Sequence, residues 1–153
     1  MNRTAGDHVK RGVAYIKDRM FNEAIEEFGE AVKLNPESPT VRLNQGVAHH
    51  VHGEPESAFK AFGDAIALDP YNHVAYIARG VLFRERGEYG NAIRDFSRAI
   101  RLKPDYAAAY AHRALAHRLM KQNFKAIQDL EKVLSLEPDF DWAKEELRKV
   151  RGR

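Results

Sequence analysis

Apolar residues along this chain recur at spacings of three and four, and the segments they define come in pairs that themselves recur. In the stretch HVAYIARGVLFRERGEYGNAIRDFSRAIRLKPDY, residues 73–106, the positions of Tyr76, Gly80, Phe83, Ala92, Phe96, Ala99 and Pro104 return every 34 residues in both directions. Pro36, Pro70, Pro104 and Pro138 mark the period. With the proline at position 32, the units run 5–38, 39–72, 73–106 and 107–140. The apolar spacing predicts an A helix near 5–18, 39–52, 73–86 and 107–120, and a B helix near 21–34, 55–68, 89–102 and 123–136. Each B helix is expected to stop before its proline, which pushes the preceding residue out of the α region. Residues 139–153 predict a further amphipathic helix, with Phe140, Trp142, Ala143, Leu147 and Val150 apolar, and 141–153 are assigned as a cap over the last unit. Such a period in a helix-turn-helix pattern implies an all-α stack of repeats.

Residue size within each unit follows from packing. Gly12, Gly46 and Gly80 fall at position 8, with Ala114 in the fourth unit, so the two helices can approach closely there. Ala24, Ala58, Ala92 and Ala126 at position 20 do the same from the B side. Phe28, Phe62, Phe96 and Leu130 at position 24 are the expected core, and burying each contributes about 1.5–3 kcal/mol. Leu34, Leu68, Leu102 and Leu136 are expected to close each layer, Trp142 to serve packing, and Met1 to Thr4 to be mobile.

Composition narrows the classes further. There is no cysteine, which excludes disulfides and thiolate metal sites. MNRTAGDHVKRG lacks the apolar core of a signal peptide and no run suits a membrane span, so a cytoplasmic location is the expectation. The formal charge of +3 is uneven: residues 1–72 carry a net −3 and residues 73–153 a net +6. Acids and bases are interleaved, which fits a mixed solvated surface.

No catalytic motif stands out: there is no glycine-rich phosphate loop, GxSxG or HExxH, and no cofactor is implied. His49 and His52 have a spacing that can serve a metal, with His50 nearby, but no carboxylate is evidently matched to them and no metal site is assigned.

The repeated positions resemble the tetratricopeptide repeat (TPR), over residues 5–140, with local departures. His8 and Arg42 replace a large aromatic, His49 and His117 replace another, Pro55 stands at position 17, and Phe124 is displaced by one, which predicts an irregular A4–B4 turn. The resemblance implies a right-handed α-solenoid whose A helices line a concave groove through positions 2, 5, 9 and 12. Positions 5 and 9 hold Val9, Val13, Leu43, Val47, Ile77, Val81, Ala111 and Leu115, all apolar. Position 12 adds Ile16, His50, Arg84 and Arg118, and position 6 adds Asn44, Ala78 and His112. This suits a non-enzymatic scaffold that binds a peptide or amphipathic helix, or another copy of itself. Some members of that family clamp the C-terminal carboxylates of chaperones. The matching places here hold Val9, Val13, Asn44, Val74 and Ala78, of which only Asn44 fits, so that ligand is disfavoured. The alternatives are an RNA-binding adaptor using Arg94, Arg98, Arg101, Lys121 and Lys125, which lack interleaved exposed aromatics, or a consensus-like array with no ligand of its own.

Overall fold

The computed structural model describes residues 2–152. Among these residues every regular element is a helix: α1 (Ala5–Lys17), α2 (Phe21–Leu34), α3 (Pro39–His52), α4 (Pro55–Leu68), α5 (His73–Glu85), α6 (Tyr89–Leu102), α7 (Ala107–Leu119), α8 (Asn123–Leu136) and α9 (Asp141–Arg151). The B helices have the expected bounds, whereas α1, α5 and α7 stop one residue short of expectation.

The stop is built into the backbone at position 15, which is left-handed in every unit: Arg19 at φ 60°, Gly53 at 86°, Gly87 at 79° and Lys121 at 59°. That reversal lets the N–H of position 16 (Met20, Glu54, Glu88 and Gln122) reach the carbonyl of position 11 at 2.8–2.9 Å, which satisfies an orphan carbonyl of the last turn. The fourth turn is therefore as regular as the others, contrary to expectation. The displacement of Phe124 shows only in its side chain, which is 73% exposed, while Phe21 and Tyr89 at the usual position are half-buried.

Helix starts are equally local. The Thr4 hydroxyl accepts from the Asp7 N–H at 3.2 Å while the Thr4 N–H donates to Asp7 Oδ2 at 2.9 Å, closing a capping box. Thr4 thus forms the first cap of α1; Met1 lies outside the described residues. Ser38 caps α3 and the Asn72 side chain accepts from the N–H groups of Val74 and Ala75. At the other end of each unit, Asn35, Asp69, Lys103 and Glu137 adopt φ between −142° and −133° before their prolines, and each B helix ends there.

The core repeats one contact. A methyl group on Gly12, Gly46 or Gly80 would stand 2.7, 2.4 or 2.6 Å from the ring of Phe28, Phe62 or Phe96, so the glycine is the space that the aromatic occupies. The fourth unit exchanges both members, and Ala114 clusters with Leu130. Leu34 departs from its expected role: it is 55% exposed, and the other three leucines at that position are half-buried.

By contacts the chain divides between Ala75 and Tyr76, within the first turn of α5. In the first unit, α1 packs on α2, α2 on α3 and α3 on α4, around a cluster of Ala24, Phe28 and Ala48. In the second, α6 packs on α7, α7 on α8 and α8 on α9. Tyr110, Ala111, Leu130, Val133 and Ala143 form its buried cluster, with Phe140, Leu147 and Val150 against it.

Candidate functional site

Polar side chains are fixed first, because they determine which charges are left for a ligand. Position 7 of helix A pairs with position 23 of helix B. Arg79 forks onto Asp95 at 2.8 and 2.9 Å, and Arg113 onto Asp129 at 2.8 and 2.7 Å while also donating to Ser97. Arg11 and Glu27 repeat the pair at 3.0 Å. Both aspartates are buried, and each holds its arginine's pKa above the usual range through these hydrogen bonds. In the first, third and fourth repeats these pairs tie the A helix to its B helix and take the arginines out of contention as ligand contacts.

A cavity of about 340 Å³ lies in the second unit. Its A-helix wall consists of Arg84 from α5 and Ala108, Ala111, His112 and Leu115 from α7; Glu137 and Phe140 come from the α8–α9 turn and Trp142 from α9. No B-helix residue lines it. Ala111 and Leu115 give an apolar floor, and Phe140 and Trp142 stand 5.8 Å apart, centroid to centroid, as an aromatic side wall. On the A-helix wall, Arg84 Nη1 lies 3.0 Å from His112 Nδ1, and the imidazole stacks on Phe96 with centroids 5.5 Å apart. Burial, and secondarily the Arg84 charge, push His112 down to about 4, so at neutral pH its Nδ1 accepts from the guanidinium. Burial also lowers Arg84, although an arginine keeps its charge. Among the described residues no carboxylate forms an ion pair with Arg84. A half-buried cation with a neutral partner beside an apolar floor is electrostatically suited to an acidic group on an apolar ligand.

Of the groove residues expected from sequence, Arg84, Ala111, His112 and Leu115 meet at this cavity. Ile77 is buried and Val81 half-buried. Arg118 lies 3.1 Å from Glu146 of α9, so its charge is engaged within the chain. In the first unit Val9, Val13, Leu43, Asn44, Val47 and His50 are all half-buried, and Val9 and Val13 pack on the Ala24 and Phe28 cluster. A different cavity of that unit, about 210 Å³, is lined by Arg42, Gln45, His49, Ser57, Lys60, Ala61 and Asp64.

Four residues of the larger cavity, Ala108, Glu137, Phe140 and Trp142, were not among the expected groove residues. Trp142, expected to serve packing, is 36% exposed and forms part of the wall with Phe140. The signal was available: continuing the repeat phase past 140 puts Trp142 at position 2, the place Ala108 holds one repeat earlier. Glu54 was also overlooked, lying 2.6 Å from His49 and 3.7 Å from His52. Phe124 supplies one exposed aromatic between the exposed Lys121 and Lys125, which corrects the expectation of none.

Comparison with known proteins bears on what such a face does. Family profiles described as tetratricopeptide repeat match residues 9–73 and 107–140, and one described as TPR repeat matches 80–121. No curated protein matches the chain. Among solved structures, MamA protein is 28% identical with a TM-score of 0.78, covering 88% of this chain and 73% of that one. The first TPR of Spaghetti (RPAP3), bound to the HSP90 peptide SRMEEVD, is 28% identical with a TM-score of 0.73, covering 76% and 94%. MamA from Desulfovibrio magneticus RS-1 covers all of this chain and 86% of its own at a TM-score of 0.87; at 20% identity that likeness concerns the fold alone. The expected fold class, an all-α solenoid of helix-turn-helix units, agrees with all three.

Proposed function

Because this chain belongs to the tetratricopeptide repeat family, we propose that it is a non-enzymatic interaction module that takes a segment of another protein against the A-helix face of its second unit. One observation carries the reading: Arg84 pairs with a neutral histidine and no acid, at the rim of a cavity whose floor is aliphatic and whose side is Phe140 and Trp142. A cavity of about 340 Å³ suits one large apolar side chain, with an Asp or Glu of the same segment placed on Arg84. The aliphatic and aromatic walls supply most of the affinity and Arg84 fixes orientation.

A relative binds an HSP90 peptide, but Val9, Val13, Val74 and Ala78 offer a terminal carboxylate no cation, so SRMEEVD is expected not to bind here. A display library of peptides carrying one aromatic or leucine and a nearby acid should yield binders, measured by calorimetry. Arg84→Gln and Leu115→Glu should each weaken them at least tenfold while helicity is retained. Undiminished binding by both variants would contradict the assignment. A second reading, nucleic acid at Phe124 with Lys121 and Lys125, draws on one exposed ring between two exposed cations. It requires binding that falls steeply with salt, and no binding of single-stranded RNA at low salt removes it.

A further inference from the structure

The repeats serve as one another's controls, and one of them lacks an acid that the others hold. At position 23 stand Glu27, Asp95 and Asp129, whereas the second repeat has Ala61. Three A-helix positions reach that acid elsewhere in the chain. Position 4 does so through His8, whose Nδ1 is 2.6 Å from Glu27. Position 7 does so through Arg11, Arg79 and Arg113, and position 11 through His117, 3.9 Å from Asp129. In the second repeat the same positions are Arg42, Gln45 and His49, and all three line the 210 Å³ cavity together with Ala61 itself. Polar side chains are therefore kept at all three positions, with Gln45 in place of the position-7 arginine and His49 turned to Glu54 at 2.6 Å, while the acceptor has been truncated to a methyl group.

The arginine shows the consequence. Arg42 Nε is shut off from water and has no hydrogen-bond partner among the described residues. Its terminal nitrogen lies 3.9 Å from Asp64, a separation that leaves the pair an ion contact without a hydrogen bond, and Asp64 already accepts from Lys60 at 3.2 Å. A buried guanidinium N–H left without an acceptor is costly; Arg118 Nε shares that state but has Glu146 at 3.1 Å, whereas Arg42 has only Asp64 at 3.9 Å. With Arg42 and Lys60 against Asp64, the cavity carries one excess positive charge, and Ser57 adds a hydroxyl at its wall.

We infer that this cavity is a carboxylate site, in which an external carboxylate takes the place held elsewhere by Glu27, Asp95 or Asp129. The ligand presents one carboxylate to Arg42 and Gln45, and the cavity admits a short acid and not a folded segment. This site lies wholly within α3 and α4, apart from the Arg84 cavity, and stands independently of the peptide-binding reading.

The test is a ¹H–¹⁵N NMR titration with acetate, succinate and a blocked glutamate peptide, each against sodium chloride and phosphate at matched ionic strength. The expected result is saturable shifts at Arg42, Gln45 and Ser57 with the carboxylates only; tighter binding of the peptide than of succinate would assign the carboxylate to a partner chain, the reverse to a free acid. Ala61→Glu supplies the missing acid from within and should raise the melting temperature and weaken carboxylate binding by roughly tenfold or more, and Arg42→Gln should weaken it similarly. Shifts no larger than those with chloride, preference for phosphate, or undiminished binding in both variants would overturn the proposal.

Discussion

The exchange of Gly and Phe for Ala and Leu in the fourth repeat predicts that positions 8 and 24 are energetically coupled, and Gly80 with Phe96 is the pair in which to measure it. A methyl on Gly80 would sit 2.6 Å from Phe96 Cε1 and 2.9 Å from Cδ1. Phe96 is fully buried, so its ring has no open space to enter. Overpacking of this kind costs about 1–3 kcal/mol, partly offset by about 1 kcal/mol of helix propensity gained on replacing glycine. Gly80→Ala alone should therefore destabilise by roughly 0–2 kcal/mol. Phe96→Leu alone opens space and should cost roughly 1–2 kcal/mol, less than the 3–5 of a full truncation to alanine. The double variant recreates the Ala114 and Leu130 arrangement, in which the methyl fills what the ring vacated. It should be less destabilised than the sum of the singles by roughly 1–2 kcal/mol. Urea unfolding followed by circular dichroism gives all four corners of the cycle. Additive effects within about 0.3 kcal/mol would refute the coupling and with it the steric account of position 8.

Other expectations follow from the same contacts. Arg113→Ala leaves the 5%-exposed Asp129 without its forked partner and should cost about 3–5 kcal/mol in urea unfolding, whereas Arg11→Ala, at a more exposed pair, should cost less than about 1 kcal/mol. Lys121→Gly relieves a left-handed backbone and should stabilise by up to about 1 kcal/mol, while Gly53→Ala, whose added methyl would meet nothing within 4 Å, should destabilise through backbone strain alone. His112 is held down to about 4 in the folded chain, against 6.5 when unfolded. Above 6.5 neither state binds the extra proton; below it the unfolded state does so first. Stability should thus fall by roughly 2–3 kcal/mol as the pH drops from 6.5 to 4, and His112→Gln should remove that part of the slope.

Helix order and bounds were legible because the 34-residue period repeats the same local instructions: a proline that ends each B helix, a small residue at position 8 and a large apolar one at position 24. The ends of α1 and α7 were misplaced by a residue because Arg19 and Lys121 carry no glycine to announce a left-handed backbone; Gly53 announced it after α3, whereas the end of α5 was placed a residue late although Gly87 stands at the equivalent position. The candidate site was legible only in part. Repeat phase put Ala111, His112, Leu115 and Arg84 at one face, but whether an arginine is held by an internal acid depends on pairing across helices. Arg118 has Glu146 and Arg84 does not, and no spacing along a single helix distinguishes them. Trp142 was missed because α9 was treated as a cap and not as a continuation of the repeat.

Trp142 is the one tryptophan of the chain, and it stands in the wall of the proposed peptide site, so its emission reports directly on occupancy. The decisive measurement is a fluorescence titration with a calorimetrically confirmed peptide binder. The account predicts a shift or quench of Trp142 emission that saturates with the calorimetric affinity and is lost in step with binding in Arg84→Gln. Full calorimetric binding with unchanged tryptophan emission would place the peptide elsewhere and contradict the account.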